Sequence, residues 1–272
     1  MTSPICWLAS YPKSGNTWVR FLLAQYLFGR VESSAQIAAS IPDVHVRASS
    51  LEGQEVGGVL LAKTHHRLTS AMPHRDRSIG AIYIVRHPVS VLYSSLNYLQ
   101  LIESPAVADR ISPEGYARNF IHLGGDPLFM RHGFGSLLEH AGTWVSHPTM
   151  PRLVVRYEDL RDQPDVELSR MLHFLGIEPA HDRVLDAVAQ SSFDRMRDLE
   201  MSEKQSGVSS VVFAGAPDRA TRGVRFMHAA TLGRSLDEIA PGLEALAEER
   251  FSWFLDRFGY ERRAANAPHS KV

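Results

Sequence analysis

Short runs of apolar, largely branched residues recur along the chain, separated by stretches with helical spacing. Ile5-Cys6-Trp7-Leu8-Ala9, Gly58-Val59-Leu60-Leu61-Ala62, Ala81-Ile82-Tyr83-Ile84-Val85 and Leu153-Val154-Val155-Arg156 each read as a strand. They are apolar at both alternating positions, so both faces are expected to be covered, as in a parallel sheet between helices. Thr17 to Phe28 and Pro88 to Leu99 read as the helices that follow the first and third strands, and Pro88 sits near the first turn, where its missing N–H costs nothing. Leu168, Met171, Leu172 and Leu175 keep the i, i+3, i+4, i+7 rule until Gly176 stops it, and Leu243, Leu246, Phe251, Phe254 and Phe258 make a later apolar stripe. Strands alternating with helices predict an α/β fold with a central parallel sheet.

Two stretches break the pattern. Residues 123–135 and 201–233 are rich in Gly, Ser and small residues with little periodicity, which suits loops that close over a ligand. Composition narrows the classes further. A chain of 272 residues with 44% apolar and 22% charged residues is that of an ordinary globular protein, which excludes disorder and collagen-like repeats. Its net charge of -1 removes the main electrostatic reason to expect nucleic-acid binding, while a local anion pocket stays compatible. The lone Cys6 has no partner for an internal disulfide, so a reducing compartment is expected. Ile5 to Ala9 is too short for a signal peptide, and no apolar stretch approaches the ~20 residues of a membrane span. The expectation is a soluble, cytoplasmic protein.

The strongest chemical signal is Ser10-Tyr11-Pro12-Lys13-Ser14-Gly15-Asn16-Thr17-Trp18, which joins the first strand to a helix. Such a turn aims backbone N–H groups and the positive end of a helix dipole at one point, and Lys13, Ser14, Asn16 and Thr17 add side-chain donors. It is not a Walker A loop: Ser10 stands for the first glycine, Asn16 for the lysine, and Lys13 lies inside the loop. The strand ends carry Lys63, Arg86 and Tyr157 rather than a carboxylate for magnesium. Arg86-His87-Pro88, with Ser94 and Ser95 two turns along the next helix, forms a second basic element able to grip a second phosphate. Lys63-Thr64-His65-His66 puts a lysine and a histidine past the carboxyl end of another strand, the edge at which open α/β sheets bind ligands. His65 stands out among 13 histidines by this position alone. None of His132, His140 and His147 has a metal-site context, so no metal is expected.

Together these segments resemble the sulfotransferases that use 3'-phosphoadenosine 5'-phosphosulfate (PAPS). The family's Y-P-K-S-G-[TN]-T-W loop matches Tyr11 to Trp18, and its R-[NH]-P-x-D-x-x-x-S element is met by Arg86, Pro88 and Ser94, with Ser90 in place of the usual Asp. Lys63-Thr64-His65, Tyr157-Glu158-Asp159-Leu160, and Ser191, Phe193, Met196 and Arg197 follow in the family's order. The late R-K-G segment is met only by Thr221-Arg222-Gly223-Val224-Arg225, where Arg222 or Arg225 stands nearest the expected place.

The resemblance implies a P-loop-like three-layer fold, one sulfotransferase domain over residues 1–262, and a frayed tail at 263–272. It also implies metal-free, in-line transfer of a sulfuryl group from PAPS, as co-substrate, to an acceptor hydroxyl. In that scheme Lys13 neutralises the leaving phosphate, His65 is the general base, Lys63 meets the sulfuryl oxygens, and Ser94 links the 3'-phosphate to Lys13. Ser14, Gly15, Asn16, Thr17 and Arg86 hold phosphates, with Arg222 assisting. Trp18 and Phe193 flank the adenine, and Tyr157 and Ser191 give it polar contacts. Glu158 and Asp159 are read as helix caps, and Glu200 as a second carboxylate near the acceptor.

The start of the chain and Ser192 to Glu200 look more like bacterial enzymes acting on glycopeptides and other natural products than like animal enzymes. The acceptor itself, whether phenol, sugar, lipid or peptide, is not written in the motifs; residues 97–150 and 201–233 are the expected pocket for a small molecule. A lid lent by a neighbouring subunit would fit 201–233, so a homodimer and a monomer both stay open. The rival readings are a P-loop nucleotide kinase or phosphotransferase, and a non-catalytic nucleotide-binding protein.

Overall fold

Alternating side chains along the first strand go to two different cores, which is how the sheet is covered on both faces. In the computed structural model, which describes residues 2–46, 50–207, 212–213 and 234–262, the strand β1 (Ile5–Ser10) sends Ile5, Trp7 and Ala9 into one apolar cluster and Cys6 and Leu8 into the other. The strands β2 (Glu55–Val56), β3 (Val59–Thr64), β4 (Ser78–Val85) and β5 (Arg152–Arg156) complete a sheet of order β2-β3-β1-β4-β5. All neighbours are parallel except the short β2, which pairs antiparallel with β3 at the edge. The two-residue Glu55–Val56 segment carried no strand signal.

On one face lie α1 (Asn16–Phe28), α2 (Ser34–Ser40) and residues that follow β5; on the other lies α3 (Pro88–Ile102), which begins at the expected proline. Three further helices, α4 (Pro105–Ala108), α5 (Pro113–Leu123) and α6 (Pro127–Arg131), lead to α7 (Leu137–Val145). After β5 come α8 (Tyr157–Asp162), α9 (Pro164–Phe174), α10 (His181–Gln190) and α11 (Phe193–Gln205). The chain's described part closes with α12 (Leu243–Arg250) and α13 (Ser252–Phe258).

Two sequence expectations change. The late apolar stripe is not one helix: Phe251 leaves helical geometry between α12 and α13 and is buried, while Leu246 faces outward at 46% exposure. The 123–135 segment is not an open loop, because Phe129 on α6 is buried and Asp126 caps that helix by accepting from Leu128 N–H at 2.7 Å. Gly125 permits this packing, since a Cβ there would meet the Tyr11 hydroxyl at 2.7 Å. That hydroxyl accepts from Asp126 N–H at 2.8 Å and so ties the segment to the β1–α1 turn. Most of 201–233 and all of 263–272 lie outside the described residues, as does Arg222.

β1 is the point where the strand order reverses, with β3 on one side and β4 on the other, so a crevice opens at its carboxyl end. No described helix is long and apolar enough to cross a membrane.

Candidate active site

The crevice is a cavity of about 500 Å³ built from the ends of four neighbouring strands. The β1–α1 turn contributes Lys13, Gly15, Asn16, Thr17 and Trp18; β3 contributes Lys63 and His65; Arg86 follows β4; and Tyr157 follows β5. Ser94 from α3 and Phe193 from α11 also face it. Segments from distant parts of the chain, chosen by sequence alone, are therefore brought to one wall.

The turn is shaped by its backbone. Lys13 has φ +68°, in the left-handed region that a lysine rarely occupies, and Gly15 has φ +99°. Gly15 is doubly constrained, because a Cβ would lie 2.4 Å from the Tyr157 ring. Strain of this kind is characteristic of turns that bind ligands. Arg86 donates to the Lys13 carbonyl at 3.0 Å and lies 4.3 Å over the Tyr157 ring, so the two basic elements are joined directly. Lys13 Nζ lies 4.5 Å over the Tyr98 ring.

Enclosure weakens the charged form of Lys13. Removal from water, then the nearby Arg86 and Lys63, lowers the Lys13 pKa to about 7. Burial likewise lowers Arg86 and Lys63. Lys13, Lys63 and Arg86 crowd one wall, and an anion there would relieve their mutual repulsion.

His65 is held in one orientation. Its Nδ1 lies 2.7 Å from the Ser10 carbonyl, an oxygen that can only accept, so Nδ1 carries the proton and Nε2 keeps its lone pair. Its backbone N–H donates to His45 Nε2 at 2.8 Å, and the two rings stack with centroids 5.6 Å apart. Burial first, then Lys63 and His45, pushes the His65 pKa well below the ordinary histidine value. Burial therefore favours the neutral ring, and the Nδ1 bond to Ser10 leaves the lone pair on Nε2.

Several expected roles shift. The Asn16 NH₂ group donates to Leu8 C=O at 2.9 Å and Ser10 Oγ at 3.2 Å, bracing the turn on β1. Ser191 is fully buried behind Trp18, whose Nε1 donates to the Ser191 carbonyl at 2.9 Å. Glu158 is not a helix cap; its two oxygens accept from His87 N–H and the Tyr260 hydroxyl at 3.1 and 2.8 Å. Asp159 sits in the first turn of α8 and lies 3.8 Å from Arg156. Glu200 is fully buried and paired with Lys204 at 2.5 Å, off the cavity wall, although its charge reaches Lys13 and favours the ammonium. With Ser90 in place of the usual Asp, the first turn of α3 is capped by the His87 ring instead, Nδ1 accepting from Val89 N–H at 3.3 Å.

Sequence reasoning missed Arg20, Asp43 and His45, all on the cavity wall. Arg20 had a signal, a lone cation inside the apolar run of α1. Asp43 and His45 had none, because they reach the site only through a lateral contact with β3.

The residues present suit a nucleotide with separated phosphates. Ser14 Oγ, in the middle of the turn, is buried with no hydrogen-bond partner among the described residues. A Cβ at Gly15 would close the approach between turn and ring. Among the described residues no group of three or more His, Cys, Asp or Glu is arranged to hold a metal ion.

Comparison with known proteins agrees with this geometry. A family model described as "Sulfotransferase domain" matches residues 4–221. Sulfotransferase 1A1 of Rattus norvegicus is 30% identical over 203 residues, covering 70% of this chain and 66% of the relative, so the match spans just under two thirds of that protein. The crystal structure of retinol dehydratase in a complex with retinol and PAP superposes with a TM-score of 0.66 at 16% identity, covering 94% of this chain and 82% of that one. Mouse sulfotransferase SULT7A1 complexed with PAP gives a TM-score of 0.62 at 17% identity, covering 94% and 88%. At these identities the structures speak for the fold, which is the three-layer, P-loop-like α/β arrangement expected from the sequence.

Proposed function

The chain belongs to the sulfotransferase family, and from that premise we propose that it transfers a sulfuryl group from PAPS to the hydroxyl of a small-molecule acceptor. The observation that carries this reading is the orientation of His65. A neutral imidazole with Nδ1 tied to Ser10 and Nε2 unencumbered is poised to take a proton from an acceptor hydroxyl. PAPS supplies the activated sulfuryl group when bound, and everything else follows from the chain's own residues.

Lys13, Ser14 and the backbone N–H groups from Gly15 to Thr17 hold the 5'-phosphate side, with Lys13 stabilising charge on the leaving oxygen. Arg86 and Ser94 hold the 3'-phosphate, and Lys63 donates to the sulfuryl oxygens. Trp18, Phe193 and Tyr157 enclose the base. Residues 1–262 are, in this reading, one catalytic domain.

Tyr98, Ile102, Leu128, Phe129 and Phe134 form an apolar, aromatic wall beside His65, which suits an amphipathic acceptor. A bacterial natural product is our reading of that acceptor, and the cytoplasm that of its setting. Incubation with PAPS and a panel of phenols, sugars, lipids and peptides, read by mass spectrometry, should show gain of one SO₃ unit. Transfer that requires ATP and magnesium instead would favour a phosphotransferase, and nucleotide binding without transfer a non-catalytic protein.

A further inference from the structure

Asp43 belongs to none of the sequence motifs, yet it is the one carboxylate among the described residues that line the cavity. Its Oδ2 lies 2.6 Å from Lys63 Nζ, and the two side chains are only 11% and 15% exposed. The backbone enforces the meeting. Residues 42–44 run beside the carboxyl end of β3, with Lys63 N–H donating to Pro42 C=O at 2.8 Å and Val44 N–H donating to Lys63 C=O at 3.1 Å. Asp43 Oδ1 accepts from His45 N–H at 3.0 Å, which fixes the carboxylate's direction.

The charges facing Lys63 are lopsided. Arg20 comes from α1, Lys13 from the β1–α1 turn, and His65 and His45 stand at either side; each disfavours a further positive charge or shares its space. Asp43 alone opposes them. Burial pushes its own carboxyl up, but Lys63, then His45 and Arg20, outweigh that and hold it below the usual carboxylate range. Asp43 is therefore a fixed negative charge and not a second base. A buried ammonium without such a partner neutralises. With the partner, one of its three N–H bonds goes to Asp43 and two stay available to the cavity.

Resting on the sulfuryl-transfer reading above, we propose that Asp43 is a positioning residue that keeps the Lys63 ammonium charged and aimed into the cavity beside His65. Lys63 then serves as a hydrogen-bond donor and does not compete with His65 for the acceptor's proton.

The test is Asp43→Asn, which keeps the shape and the acceptor for His45 N–H. Turnover should fall about tenfold or more at mildly alkaline pH and recover as the pH drops, since one pKa unit is a factor of ten in protonation. Asp43→Glu should restore much of it. In a Lys63→Met background, Asp43→Asn should add no further loss. An equal loss at every pH, or full additivity with Lys63→Met, would overturn the proposal.

A second readout needs no turnover. NMR of protein isotopically labelled at lysine Cε, with Lys63 assigned from the Lys63→Met spectrum, should show Lys63 titrating at lower pH in Asp43→Asn than in the unsubstituted protein. An unchanged titration overturns the Asp43 role. Should the unsubstituted protein transfer no sulfuryl group, the functional reading fails, and the spectrum still decides the Asp43–Lys63 pairing by itself.

Discussion

At the scale of single residues, burial and hydrogen bonding set His65 and Lys13 to opposite tasks. His65 is directed by the Nδ1 bond to Ser10, and burial pushes its pKa well down, which favours the neutral ring. A base acts when deprotonated, so a lowered pKa extends activity toward acid. The acid limb of kcat/KM should lie well below the ordinary ~6.5 of histidine. His65→Ala should cost on the order of 10²- to 10⁴-fold in kcat, measured by steady-state turnover.

Lys13 runs the other way. At about 7 in the free protein, its pKa should rise when phosphates arrive, so binding takes up a proton wherever the free lysine is neutral. Affinity for adenosine 3',5'-bisphosphate should then be highest below about 7 and fall as pH rises through it. Calorimetry in buffers of different protonation enthalpy should register net proton uptake at pH 8. No uptake at that pH would mean that Lys13 is already charged.

At the scale of elements, two turns carry the site. Gly15→Ala meets both a forbidden φ and the Tyr157 ring, so nucleotide affinity should drop sharply while circular dichroism shows the α/β fold retained. Tyr11→Phe leaves the Asp126 N–H buried without its acceptor and should cost about 1–3 kcal/mol in denaturant unfolding. It should also loosen α6, which forms part of the apolar wall.

The four strands of the parallel array and the helices α1, α3 and α9 were legible in the sequence because apolar periodicity and proline or glycine punctuation act locally. The β1–α1 turn was legible for the same reason. The segment 123–135 was not, since its order comes from Tyr11 and Gly125, a contact between distant parts of the chain. Asp43 and His45 were illegible for the same physical reason: a lateral backbone bridge to β3 leaves no spacing in the sequence. The split between α12 and α13 escaped because burial of Phe251 at a non-helical residue continues the apolar stripe across the break.

At the scale of the whole molecule, the parallel sheet gathers three cationic elements at the reversal of strand order, where no single element could hold an anion with two separated charges. The central claim is that this cradle fits adenosine 3',5'-bisphosphate rather than a nucleoside triphosphate with magnesium. A ligand that binds only the folded state stabilises by about 2.7 kcal/mol at a concentration 100 times its Kd. Thermal unfolding measured with each nucleotide is the most direct test. The account predicts a melting temperature raised by about 5 °C or more with the bisphosphate and little change with ATP and magnesium. A shift with ATP and magnesium alone would contradict it.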